Sequence, residues 1–153
     1  MLDIYTDGSF RKDKVSCGFV AKNGSNIIHC ETEVYNANDG YANVSGELLA
    51  VMRAISWAYE HGYREVRVNY DYAGVEHFVK DWTPKTRIAK VYADFIKKMG
   101  QKMKIEFNKV VSHGDQNNSL IDSLVRQRVR MVTKRRLTPI TSVISSYEKE
   151  VLA

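Results

Sequence analysis

The stretch that decides the fold is DIYTDGS, residues 3–9. Residues 2–10 are predicted to form a strand, in which Ile4 and Tyr5 come before a turn at Gly8 and Ser9. Asp7 lies towards the end of this strand, directly before Gly8. Because a buried carboxylate is costly unless a cation or hydrogen bonds compensate it, Asp7 is either a turn residue or a group that holds something positive.

The bulk composition indicates a single soluble domain. The chain has 153 residues, with 44% hydrophobic and 27% charged residues, which is ordinary for a globular protein. The net charge of +5 favours a polyanionic partner, although it equally fits a soluble basic protein. The first residues do not read as a signal peptide, no apolar run is long enough to cross a membrane, and the two cysteines form no disulfide framework. We therefore expect a cytoplasmic protein with no membrane segment.

The rest of the chain predicts an α/β fold in the order β-β-β-α-β-α-α-β-α. Further strands are expected at 15–22, 26–35, 65–71 and 103–111, and helices at 73–81, 87–99 and 119–136. The long helix before the fourth strand has Leu48, Met52, Ile55 and Tyr59 at helical spacing. Three antiparallel strands followed by strand–helix–strand units indicate a mixed sheet with helices on its faces. The tail, residues 139–153, is a short helix or a loose end.

Four acidic residues lie where strands end or helices begin: Asp7, Glu47, Asp71 and Asp122. Each alone is explained as a turn, a helix terminus or a solvated face. Together they sit beside apolar residues that should hold them near the core, at the sheet edge where ligands collect. Clustered carboxylates repel unless cations bind, and all-oxygen sites suit magnesium or manganese. Two such ions can clamp the oxygens of a phosphoryl transfer.

The motifs around these carboxylates resemble the type 1 ribonuclease H family. YTDGS, GELLAV, NYDYAGVE and a histidine followed by NxxxD occur in the family's order, and the resemblance covers about residues 2–136. The stretches NVSGELLAV and YDYAGVEHFVKDW are most similar to its compact branch, which includes the domain fused to viroplasmin-like modules. The basic handle of longer relatives is absent, and the segment from His113 to Asp122 is short for the family.

The resemblance implies a ribonuclease H-like five-stranded mixed sheet in the order 3-2-1-4-5, with the first three strands antiparallel and helices on both faces. It implies an endoribonuclease that cleaves the RNA strand of RNA–DNA hybrids with two Mg²⁺ ions, for which Mn²⁺ substitutes, leaving 5′-phosphate and 3′-hydroxyl ends. Asp7 would bridge both metals, Glu47 and Asp71 would complete one site, and Asp122 the other. His113 matches the mobile family histidine that assists proton transfer or product release, or is an exposed loop residue. We expect a monomer with a catalytic domain over residues 1–138 and a tail over 139–153.

Residues expected to contact the hybrid are Gly8, Ser9, Asn43, Gly46 and Asn118. The first four are explained equally well by turn and cap chemistry, whereas Asn118 matches a polar contact of the family. Two basic clusters are expected to hold phosphates: Lys80, Lys85, Arg87 and Lys90; and Arg126, Arg128, Arg130, Lys134, Arg135 and Arg136. Trp82 packs on a sugar or fastens a helix to the core.

Two other functions compete with hybrid cleavage. The first is a catalytically weak or inactive domain of the same fold that binds hybrids or double-stranded RNA. The second is a related nuclease, such as a transposase or resolvase core, which would cleave duplex DNA as well as a hybrid. The presence of all four carboxylates favours the hybrid endoribonuclease.

Overall fold

The computed structural model describes residues 1–37, 44–110, 116–131 and 137–153, with the side chains of residues 44, 116–118 and 128–131 excepted. Within these ranges the strands are β1 Leu2–Arg11, β2 Lys14–Asn23, β3 Asn26–Asn36, β4 Glu65–Tyr70 and β5 Lys104–Lys109. The helices are α1 Val44–Glu60, α2 Gly74–Lys80, α3 Arg87–Met99, α4 Gln116–Met131 and α5 Ile140–Leu152.

The strands form one mixed sheet in the order β3-β2-β1-β4-β5, which confirms the expected topology. β1, β2 and β3 pair antiparallel, whereas β1 with β4 and β4 with β5 pair parallel. The central strand β1 therefore has an antiparallel neighbour on one side and a parallel neighbour on the other. α1 connects β3, which lies on one side of β1, to β4, which lies on the other side, and so crosses over one face of the sheet.

The first hairpin differs from the sequence-based prediction. Gly8 and Ser9 form no turn, because β1 continues through them and pairs Gly8 with Cys17 and Ser9 with Ser16. The turn lies at Lys12 and Asp13, whose φ angles are 49° and 63°. Positive φ at both central residues matches the right-handed twist of the flanking strands, which explains why this costly conformation is used. The second hairpin turns through Gly24, φ 63°, in the predicted NGSN segment.

Helices cover both faces of the sheet. On one face, α1 and α3 bury the predicted apolar stripes, including Leu48, Met52 and Tyr92, against Ile4 of β1. On the other face, the α4 residues Ile121 and Val125 pack with Val20 and Tyr5. Ile4 and Tyr5 are consecutive in β1, so their side chains point to opposite faces. The described part of α4 begins at Gln116 and ends at Met131, and residues 132–136 of the predicted helix lie outside the described residues.

The tail forms the helix α5, the first of the two alternatives that the sequence left open. Ile140 and Ile144 are fully buried in the same core as α1 and α3, and the Tyr147 ring packs edge-on against Phe95 at 5.4 Å. Arg87 of α3 donates to Glu148 at 2.7 and 2.9 Å. α5 is therefore packed as part of the domain. Among the described helices, none is long and apolar enough to cross a membrane.

Candidate active site

The parallel pairing of β1 with β4 brings Asp7 and Asp71 to the same edge of the sheet. The last pair in the register joins Tyr5 to Asn69. Asp7 and Asp71 each lie two residues beyond that pair, so they extend from neighbouring strands on the same face. Asp7 is only 3% exposed, whereas Asp71 is half-buried. The carboxyl ends of β1 and β4 thus hold two of the four predicted carboxylates.

Glu47 reaches the same place because the start of α1 lies directly against β1. A Cβ on Gly8 would lie 2.4 Å from the carbonyl carbon of Gly46 and 2.5 Å from the backbone nitrogen of Glu47. A Cβ on Gly46 would lie 2.7 Å from the carbonyl oxygen of Ser16. Only glycine at positions 8 and 46 allows this approach. Gly8 and Gly46, which the sequence predicts as substrate contacts, therefore allow α1 to pack closely against the sheet.

Asp7, Glu47 and Asp71 form a three-carboxylate cluster. Each offers one oxygen, and these oxygens all lie within 4.8 Å of one another, as ligands of one metal ion would. The Gly8 N–H donates to Asp7 Oδ1 at 2.9 Å. Asp7 Oδ2 and Glu47 Oε2 are buried and have no hydrogen-bond partner among the described residues. Buried carboxylate oxygens without donors fit a bound cation.

The electrostatics of the cluster support the same conclusion. Burial, the neighbouring Asp122 carboxyl and the charge of Asp71 together raise the pKa of Asp7 from 3.8 to about 7, although Glu47 and the Gly8 N–H act in the opposite direction. Burial also raises the pKa of Glu47 well above its usual value, and the neighbouring Asp7 adds to this effect. Without a cation, the protein therefore keeps protons on these groups near neutral pH.

Asp122, the fourth predicted carboxylate, lies in α4, which covers the face of the sheet opposite α1. Gly18 of β2 allows α4 to lie close to the sheet, because a Cβ there would be 2.8 Å from Val125 Cγ1. The Asp122 carboxyl interacts with that of Asp7 and accepts a hydrogen bond from Arg126 Nε at 3.1 Å. Asp122 therefore reaches the cluster at Asp7.

Several predicted site residues remain predictions. His113 and Asn43 lie outside the described residues, as does the side chain of Asn118. Ser9 is half-buried in β1 opposite Ser16.

The predicted basic cluster from Lys80 to Lys90 is partly neutralised by ion pairs within the protein. Lys80 pairs with Glu76, and Arg87 pairs with Glu148. Trp82 stacks on His77 at 4.8 Å and contacts Phe78 edge-on, yet stays 44% exposed. The Trp82 ring is thus held by its neighbours while part of its surface remains accessible.

Sequence reasoning missed Tyr72, which directly follows Asp71. Its ring lies over Gly74, where a Cβ would come within 2.4–2.6 Å of the ring and hydroxyl atoms. Burial and the charge of Glu47 raise the pKa of Tyr72, so its phenol stays neutral beside the carboxylates. Its position immediately after a strand-end aspartate was the available signal.

Comparisons with known proteins agree with this geometry. The sequence model described as RNase H matches residues 1–130. Ribonuclease H1 from the archaeon Halobacterium salinarum has a similar structure, with a TM-score of 0.74, 16% identity, and coverage of 86% of this chain and 98% of that one. The N-terminal RNase H domain of a Mycobacterium tuberculosis protein gives a TM-score of 0.72 and 18% identity, over 84% of this chain and 93% of that one.

A third similar structure is LC11-RNase H1, isolated from compost and solved in complex with an RNA/DNA hybrid. It has a TM-score of 0.72 and 20% identity, over 85% of this chain and 97% of that one. No curated protein matches the sequence. At these identities the structures show a shared fold, whereas the sequence model identifies the family.

Proposed function

The chain belongs to the ribonuclease H family, and on that premise we propose that it hydrolyses the RNA strand of RNA–DNA hybrids, leaving 3′-hydroxyl and 5′-phosphate ends. It is a ribonuclease H enzyme with the fold of the type 1 enzymes. The observation that carries the proposal is the cluster of Asp7, Glu47 and Asp71, with two buried oxygens that lack donors among the described residues.

We propose that the carboxylates hold two divalent cations, which are Mg²⁺ with Mn²⁺ as a substitute. Asp7, Glu47 and Asp71 would hold one ion, and Asp7 with Asp122 the other. Oxygen-only ligand sets suit these hard cations. Bound there, the ions would supply positive charge to the scissile phosphate and lower the pKa of an attacking water.

The protein's own groups orient the site and handle protons. The Gly8 N–H fixes the rotation of the Asp7 carboxyl and leaves Oδ2 as the oxygen without a donor among the described residues. In the proposed reaction a water oxygen bonds to phosphorus and gives up one proton, the bond from phosphorus to the ribose 3′ oxygen breaks, and that oxygen takes up one proton. The family resemblance assigns assistance in this proton transfer to His113, which lies outside the described residues.

The hybrid is proposed to bind mainly through its phosphates. The net charge of +5 supports attraction to a polyanion, and the exposed part of Trp82 lies near Lys85 and Lys90 in the chain. A neighbour of the same fold was solved with an RNA/DNA hybrid. Phosphate contacts carry little sequence information, so we expect low sequence specificity and an affinity that falls with salt.

We also propose that the protein acts as a monomer in the cytoplasm. Both cysteines, Cys17 and Cys30, are free thiols. Free thiols are ordinary in a reducing compartment and support this location.

A cleavage assay on three matched duplexes tests the proposed function. RNA–DNA, RNA–RNA and DNA–DNA duplexes of one sequence are incubated with the protein, with and without Mg²⁺, and the product ends are identified. Mg²⁺-dependent cleavage of the RNA strand in the hybrid, with 5′-phosphate ends, is the expected result. Binding of the hybrid without cleavage in Mg²⁺ or Mn²⁺ would instead support a non-catalytic binding domain, and equal cleavage of duplex DNA would support a transposase-like nuclease.

A further inference from the structure

Asn69 is a buried amide at the point where β1 and β4 stop pairing. Asn69 is only 3% exposed. The Nδ2 group donates to Asp3 Oδ1 and to the Ile4 carbonyl, each at 3.2 Å. The Oδ1 atom accepts from Asn108 Nδ2 at 2.8 Å. One side chain thus joins β4 to both of its neighbouring strands.

The surrounding polar groups hold this amide in one orientation. Asp3 also accepts from Arg67 at 3.4 Å, and Arg67 lies 3.6 Å from Glu106 of β5. Burying an amide is unfavourable unless its donors and acceptors are satisfied, and here both ends of the Asn69 amide have partners. A satisfied buried network of this kind restricts the positions that β1, β4 and β5 can take relative to one another.

Asn69 lies two residues before Asp71, which belongs to the three-carboxylate cluster. Asn69 is opposite Tyr5 in the register, and this is the last pair between the two strands. Two residues further along, on the same face, each strand carries a carboxylate, Asp7 and Asp71. Because the pairing of β1 with β4 ends before Asp7 and Asp71, the separation of these two carboxylates depends on what holds the strand ends together.

We propose that Asn69 is a positioning residue that fixes the separation of Asp7 and Asp71 and so sets the affinity of the cluster for a divalent cation. This inference rests on the proposed function, because it assumes that the cluster binds such a cation. Mg²⁺ demands near-ideal octahedral geometry at about 2.0–2.1 Å, so a small change in carboxylate spacing weakens binding. Groups that hydrogen-bond directly to metal ligands typically change affinity by about 10–100-fold when they are replaced, and we expect Asn69, which acts through the strands, to lie at the low end of that range.

The test is calorimetric titration of the protein with Mn²⁺ in the absence of nucleic acid. Asn69→Leu keeps the branched shape of the side chain, with a larger volume, and removes every hydrogen bond of the amide. We expect its dissociation constant for Mn²⁺ to rise by about tenfold. Val66→Ala is the matched control, because Val66 is fully buried on the same strand, at the end far from the cluster. It should lose stability and keep the dissociation constant within about twofold, as expected for a distant site.

The outcomes distinguish failure of this inference from failure of the proposed metal sites. An unchanged Mn²⁺ affinity in folded Asn69→Leu would overturn this inference and leave the proposed function standing. If Asn69→Leu does not fold by circular dichroism, Asn108→Ala takes its place, because it removes only the partner of the Asn69 carbonyl oxygen. A weaker Mn²⁺ affinity in Asn108→Ala would support the inference, and an unchanged one would overturn it. Failure of the unsubstituted protein to bind Mn²⁺ would overturn both the inference and the proposed metal sites.

Discussion

Replacing Gly8 by alanine should separate the start of α1 from β1. The added Cβ would lie 2.4 Å from the carbonyl carbon of Gly46 and 2.5 Å from the nitrogen of Glu47. Both are backbone atoms, so no change of rotamer relieves the contact. Gly8 does not have a positive φ, so the effect comes from the lost space and not from backbone strain.

The expected cost follows from the contact distances. Overpacking a well-packed interior costs about 1–3 kcal/mol, and backbone neighbours place Gly8→Ala near about 3 kcal/mol. For a chain of this size each 1 kcal/mol lowers the Tm by roughly 2–4 °C, so a fall of roughly 6–12 °C is expected. Glu47 moves with α1, and a displacement of about 1 Å at a reactive site can cost on the order of 100-fold in rate.

Thermal denaturation and hybrid cleavage below the melting transition measure these two effects. Gly24→Ala is the matched control, because nothing lies within 4 Å of its Cβ, although its φ of 63° adds strain. That control should cost about 1 kcal/mol and retain full activity. If Gly8→Ala has the same Tm as the unsubstituted protein and cleaves the hybrid at the same rate, the close contact of β1 with α1 is refuted.

Two further predictions concern the metal-free site and α5. Because burial raises the pKa of Asp7 from 3.8 to about 7, the folded metal-free protein holds this proton more tightly than the unfolded chain, and its stability falls as pH rises from about 4 through about 7. Asp7→Asn should therefore stabilise the protein in EDTA at pH 8, by on the order of 2 kcal/mol, and give no such gain at pH 4; equal effects at both pH values would contradict this. Ile144→Ala, at a fully buried position of α5, should cost about 3 kcal/mol in urea denaturation. Leu152→Ala, at a position 86% exposed, should stay within about 0.5 kcal/mol, and equal losses for the two would show that α5 is not packed on the core.

Local periodicity predicted the elements whose apolar faces are continuous. The α3 stripe, from Ile88 to Met99, is buried as the spacing indicated, because an amphipathic helix must cover that face. The pattern alone gave a mixed sheet, and the strand order came from the family resemblance. The strand predicted over residues 2–10 nearly matches β1. The turn was placed wrongly at Gly8 and Ser9, because these residues resemble a turn in isolation, whereas their pairing with Cys17 and Ser16 is non-local. The weakly patterned α5 was undecided for the same reason, since its partners lie on distant helices.

The carboxylates of the site could be predicted from the sequence, but the residues that hold them in place could not. Asp7 and Asp71 follow from the rule that ligands collect where parallel strands end, and Glu47 follows from its place at the start of the long helix. The mutual approach of Gly8 and Gly46 depends on how α1 crosses β1, which no local pattern encodes. The Asn69 network likewise depends on register across three strands, so an asparagine in a strand looked ordinary.

The most direct test of the central claim is the cleavage of a labelled RNA–DNA hybrid by Asp7→Asn in Mg²⁺. Asp94→Asn, the same change at an exposed position of α3, is the matched control. If the carboxylates at the ends of β1 and β4 perform the reaction, Asp7→Asn abolishes cleavage while its circular dichroism stays native, and Asp94→Asn cleaves normally. Normal turnover by folded Asp7→Asn would contradict the account.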